Sequence, residues 1–131
     1  MLNPANVFLI GLWLTGLLYT FKIQSFESFK NQQTIKAPLL QFNDKGIYCA
    51  AADVYLDPWK PVDKAIISHG HADHSRWGHK AYITHHINVP IIKHRLGEIN
   101  VTGKEWGETF TIKNVKFSLH PAGHIIGSSQ I

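Results

Sequence analysis

The sequence predicts a layered α/β domain built mostly of short strands and hairpins. Three observations carry that reading. Short apolar runs recur from residue 39 onward between turn-forming Gly, Asn, Asp and Pro. One of them, the AIIS at 65–68, is apolar without interruption and too short for a helix. A single helical stretch at 89–96 (VPIIKHRL) carries Pro90 in its first turn, where a missing N–H is tolerated.

Taken in order, residues 39–42 (LLQF) and 46–49 (GIYC) flank an NDKG turn, in which Gly46 can take a positive φ. A third strand at 54–56 (VYL) is stopped by Asp57-Pro58. The AIIS run reads as a buried central strand with both faces covered. Residues 81–84 (AYIT) form another strand before the helix. Residues 109–112 (TFTI) and 115–119 (VKFSL) alternate around Lys113-Asn114 as a hairpin, which leads into His120. No repeat or low-complexity tract interrupts the pattern.

A chain of 131 residues makes one domain or part of a larger one. Residues 1–36 read as an apolar N-terminal segment and polar linker, and residues 37–131 as the body of the domain. Residues 7–21 (VFLIGLWLTGLLYTF) are uncharged and strongly apolar. A membrane-spanning helix needs roughly 20 such residues, and the marks of a signal peptide, Lys or Arg before the run and small residues after it, are missing. An apolar helix here is either a membrane anchor or a buried element; a poorly defined start to the chain is the third reading. Residues 24–33 (QSFESFKNQQ) are polar and linker-like.

Apolar content of 44% with 17% charged residues excludes a disordered chain. The net charge of +4 is compatible with a polyanionic partner without requiring one. Cys49 is the only cysteine, which excludes an intrachain disulfide and a cysteine-rich zinc site. That fits a reducing cytoplasm, with membrane association only if residues 7–21 are an anchor.

The chemistry concentrates in one loop. The HGHADH segment places His69, His71, Asp73 and His74 directly after the buried strand, at the edge where layered α/β folds build their sites. Neutral imidazole and carboxylate are both zinc ligands. His69 and His71 leave extended backbone on one side, and the small Gly70 and Ala72 let the loop curl around an ion. Asp73 and His74 aim at a neighbouring point, so one segment offers two ligands to each of two metals about 3.5–4 Å apart. His124, on another Gly-containing turn, completes a three-histidine set with a fourth position left for water.

In these residues the sequence resembles the metallo-β-lactamase superfamily, whose signature is H-x-H-x-D-H, and more narrowly its β-CASP nuclease branch. Supporting stretches are PLLQF at 38–42, VYLDPWKPV at 54–62, SHGHADHS at 68–75, HRLGE at 94–98 and HPAGHIIGSSQ at 120–130. The DPWKPV stretch is similar to the bacterial ligase-associated DNA exonucleases in particular; RNA 3′-end-processing endonucleases belong to the same branch.

The resemblance implies that His69, His71 and His124 bind a first zinc ion, and that Asp73 and His74 bind a second. Catalysis would engage Asp73, His74 and Asp57, the last standing behind the ligands to orient their loop. It implies DNA or RNA as substrate, and a DNA ligase or helicase repair system as partner. The implied architecture is the N-terminal half of an αββα sandwich. The family pattern continues with an Asp bridging both metals and a later His, and the sequence reaches Ile131 before either. A truncated form with at most partial zinc occupancy is therefore expected, with one sheet face uncovered. A non-catalytic zinc-binding remnant, or a hydrolase of thioesters or other esters, are the other readings, since fold alone does not set substrate. Ala52-Asp53 replaces the Gly-Asp common in relatives. His79, His85, His86 and His94 read as surface or hydrogen-bonding residues, and His120 as a structural residue near the site.

Overall fold

The central feature of the computed structural model, which describes residues 38–131, is a six-stranded sheet with strands in sequence order. Its strands are β1 (Gln41–Asn43), β2 (Gly46–Cys49), β3 (Val54–Leu56), β4 (Lys64–Ile66), β5 (Ala81–His85) and β6 (Val101–Lys104). One helix, α1 (Asn88–Leu96), connects β5 to β6. Two small antiparallel pairs follow: β7 (Phe110–Ile112) with β8 (Val115–Phe117), and β9 (His120–Pro121) with β10 (Ser129–Gln130). The fold is thus a mixed α/β arrangement with a large sheet and one short helix. The apolar and linker segments expected over residues 1–36 lie outside the described residues. Among the described residues, no helix is long and apolar enough to cross a membrane.

Pairing changes character across the sheet. β1, β2 and β3 form an antiparallel meander, with Asn43 opposite Gly46 across the NDKG turn. β3, β4, β5 and β6 are mutually parallel. Parallel neighbours need a crossover, usually a helix. α1 serves β5–β6, but the β4–β5 crossover is the histidine loop itself.

Side chains alternate across the strands, so the two faces bury different sets. Cys49, Val54 and Ile66 pack on one face with Phe110 and Leu119, joined by partly buried Ile83 and Trp106. Ala65, Ile67 and Tyr82 pack on the other against Ile92 of α1. Ile66 and Ile67 are fully buried to opposite sides, each contributing about 1.5–3 kcal/mol relative to exposure. Both faces of the central strands are therefore covered, unlike the uncovered face expected from a half sandwich. Exposed apolar residues gather instead around the edge strand β1, where Leu39, Leu40, Phe42 and Trp59 face solvent.

Of the two readings for His79, surface or hydrogen-bonding, the second holds: the ring is buried. Its Nδ1 accepts the Val62 N–H at 3.3 Å, and its ring packs on Tyr82. Burial lowers the His79 pKa below its ordinary value of 6.5, because charging the ring would leave a cation in the core. Between the folded and unfolded values the unfolded chain binds a proton that the folded chain refuses. Stability is then full above about pH 6.5 and declines as pH falls through the folded value. A urea midpoint measured at pH 5 should lie below that at pH 8, and His79→Gln should make the difference shallower. A midpoint independent of pH in the unsubstituted chain would remove this reading.

Candidate metal centre

Parallel pairing brings the carboxyl ends of β3, β4, β5 and β6 to one edge of the sheet. Asp57 follows β3, the segment from Ser68 to His74 follows β4, His85 ends β5, and Glu105 follows β6. Asp57 has a φ of 41°, a left-handed conformation that Asp and Asn tolerate better than most residues.

Asp57 organises the loop. Its Oδ1 accepts the Ser68 N–H at 2.7 Å, and its Oδ2 accepts the Ser68 hydroxyl. Oδ2 also lies 2.7 Å from His74 Nδ1. A carboxylate has no proton to give at neutral pH, so His74 Nδ1 donates and its Nε2 keeps a lone pair. With the Ser68 proton directed at Asp57, the 2.9 Å contact from Ser68 Oγ to His69 Nδ1 is one in which the imidazole donates. His69 Nε2 therefore also keeps its lone pair. One carboxylate thus sets two tautomers, one directly and one through a serine, as metal-ligating histidines require.

These lone pairs point toward partners. His69 Nε2 is 3.1 Å from His71 Nδ1, and His74 Nε2 is 3.5 Å from Asp73 Oδ2. Tetrahedral zinc with ordinary ligand distances has edges of about 3.3–3.4 Å, so both pairs fit a shared ion with small adjustments. His124 comes from the β9–β10 turn, its ring 5.0 Å from that of His69 and 5.2 Å from that of His71. One ligand atom from each of His69, His71 and His124 lies within 4.8 Å of the others. His69 is buried while His71 and His124 are exposed, so the group opens to solvent on one side. Burial, followed by the charge of neighbouring His74, lowers the His69 pKa and favours the neutral ligand form. The Asp73 carboxyl is held below its usual range, chiefly by its own backbone N–H.

Comparison with family models, with curated proteins and with solved structures finds no match.

Three anchors hold this loop, and two of them came without a sequence signal. Arg95 of α1 donates from Nη1 to the Gly70 carbonyl at 2.7 Å and to the Ser75 hydroxyl. Ser129 N–H donates to the Ser68 carbonyl at 2.9 Å, tying β10 and the His124 turn to the same loop. Ser68 itself had a local signal, a hydroxyl directly before the first histidine of the HGHADH segment. His85, His86 and Glu105 also converge, which no local pattern announces; of the surface and hydrogen-bonding readings for His85 the surface one fails, since the ring is fully buried. His120 lies apart from the cluster in β9, with its Nε2 3.0 Å from Ser118 Oγ. A cleft of about 310 Å³ lined by Tyr48, Tyr55, Lys64 and Lys80 sits at the amino ends of β4 and β5, and His69, His71 and His124 are not part of its lining.

Gly70 is where α1 meets the loop. A Cβ there would lie 2.8 Å from Ile91 Cγ2, closer than real contacts allow, so the loop or the side chain must shift. Gly70→Ala should cost about 1–3 kcal/mol in urea unfolding and weaken zinc binding. Adding Ile91→Ala should restore much of the binding, a coupling that a double-mutant cycle measures. Equal zinc affinity in the single and double variants would contradict it.

Proposed function

We propose that this chain is a metal-dependent hydrolase of the metallo-β-lactamase type, acting on the phosphodiesters of DNA or RNA. The observation that carries this reading is the convergence of His69, His71 and His124 from two separate loops, above a carboxylate that presets the ring lone pairs. In the proposal, the sheet with α1 corresponds to the first αβ half of the family's αββα sandwich. His69, His71 and His124 would hold one zinc ion, and Asp73 with His74 would contribute to a second. Zinc so bound supplies a water acidic enough to give hydroxide near neutral pH.

The remaining roles belong to the chain's own groups. Asp57 and Ser68 hold the Nδ1 protons of His74 and His69, so that the Nε2 atoms face outward. Asp73 is exposed and has two carboxylate oxygens, so one would bind the second ion while the other accepts a hydrogen bond from the nucleophilic water. Arg76 and Trp77 stand on the outer side of the loop, where Trp77 is 74% exposed and Arg76 Nε donates to the Asp73 carbonyl. A guanidinium beside an exposed indole suits a phosphate next to a stacked base. The likeness to ligase-associated exonucleases directs the first assay to DNA.

The test is hydrolysis of labelled single-stranded DNA, RNA and a thioester by zinc-loaded chain, with bound zinc counted by elemental analysis. Phosphodiester cleavage lost in His71→Ala is the expected result. Thioester cleavage in its place would reassign the substrate. Stoichiometric zinc with no turnover of any substrate would make this a zinc-binding protein rather than an enzyme.

A further inference from the structure

The same sheet edge carries a second convergence of ligand-type side chains. His85 ends β5 with its side chain on the Ile83 and Trp106 face, 0% exposed. Its ring stacks on the Trp106 indole at 3.5 Å between centroids and 12° between planes. His86 follows as the chain turns, its ring 4.3 Å from that of His85. Glu105 arrives from the parallel neighbour β6, with Oε2 3.0 Å from His86 Nδ1. One ligand atom from each of the three lies within 4.8 Å of the others.

An ordinary ion pair accounts for His86 and Glu105 but not for His85. Its Nδ1 receives only a long 3.4 Å contact from the Ile87 N–H. Its Nε2 is buried and has no hydrogen-bond partner among the described residues. Buried polar atoms are nearly always paired, because an unpaired one costs about 1–3 kcal/mol. Stacking on Trp106 holds the ring where it cannot turn to water. Lys104, opposite His85 on β6, is engaged with Glu108, its Nζ 2.7 Å from Oε1. A buried imidazole, a half-exposed imidazole and a carboxylate make a donor set that a borderline divalent metal satisfies at once.

We propose that His85, His86 and Glu105 form a zinc site distinct from the three-histidine centre, at the carboxyl ends of β5 and β6. Binding through His85 Nε2 places that ring's proton on Nδ1 and gives up the long Ile87 contact. Ile87 directly precedes α1, so loading is felt at the start of the helix. The site would tie together two parallel strands, β5 and β6, at their carboxyl ends. The indole of Trp106, lying on the His85 ring, is a built-in reporter of loading.

The experiment uses the full chain, stripped with a chelator and titrated with zinc against a chromophoric competitor while tryptophan emission is followed. His71→Ala should retain a zinc-binding event that changes the emission. Glu105→Gln and His86→Asn, both at solvent-exposed positions, should weaken that event at least about tenfold while leaving the circular dichroism unchanged. Zinc stoichiometry and affinity in Glu105→Gln and His86→Asn within twofold of the unsubstituted chain would overturn the proposal. So would a His71→Ala chain that binds no zinc.

Discussion

His71→Ala is expected to lower zinc affinity at the three-histidine centre by at least about 100-fold while leaving the fold intact. Removing groups that merely orient a ligand costs 10–100-fold, and the loss of a ligand should cost no less. His71 is suited to the test because its side chain is exposed. The structural duties of this residue belong to its carbonyl, which accepts the Ser75 N–H at 2.8 Å and the Ser75 hydroxyl at 2.9 Å. Alanine keeps that carbonyl, so the urea midpoint should correspond to a change within about 0.5 kcal/mol. Competition against a chromophoric chelator reads the affinity. Unchanged affinity would mean that the convergence of imidazoles is not a metal centre.

Asp57→Asn should produce a loss of about 10–100-fold in zinc affinity with almost no change in volume. The reason is proton placement. Asparagine can keep an oxygen on the Ser68 N–H, but its amide N–H₂ then faces Ser68 Oγ and His74 Nδ1, both of which are donors to aspartate. His74 must accept at Nδ1 and carry its proton on Nε2. Ser68, no longer able to donate to residue 57, donates to His69 Nδ1 and forces the same exchange there. Two lone pairs aimed at the metal positions become two N–H groups. Long-range proton–nitrogen correlation spectra should show both rings changing tautomer. Rings unaltered in Asp57→Asn, with zinc affinity within threefold, would sink this account.

Much of this was legible where local chemistry decides the outcome. The NDKG turn announces its hairpin because Gly46 accepts a φ of 145° that other residues resist, whereas in the Lys113-Asn114 turn the positive φ of 51° falls on Lys113, which local chemistry does not single out. The α1 helix is legible from Pro90 and its flanking apolar residues, and the ligand loop from four donors in six residues. β6 was not legible. Val101–Lys104 reads VTGK, and it is a strand because β5 offers a ladder to pair with. Its Gly103 fits only because a Cβ there would lie 2.9 Å from His86 Cα, a constraint created by packing. The burial of His85 was hidden for the same reason. Two adjacent histidines look alike in a local window, and only the placement of Trp106 separates the buried ring from the exposed one. Arg95 reaches Gly70 from another element, which no sequence periodicity encodes.

His124 joins His69 and His71 across most of the folded body, while the lone Cys49 is buried and free. A chain so built has no covalent cross-link among its described residues, yet a metal gripping both loops would serve as one. Tethering residue 69 to residue 124 would remove loop-closure entropy from the unfolded ensemble on the order of 4 kcal/mol, the scale of a disulfide closing a comparable loop. The clamp would be reversible, set by zinc supply instead of redox poise. Metal availability would then govern how long the protein lasts in a cell as well as what it does there.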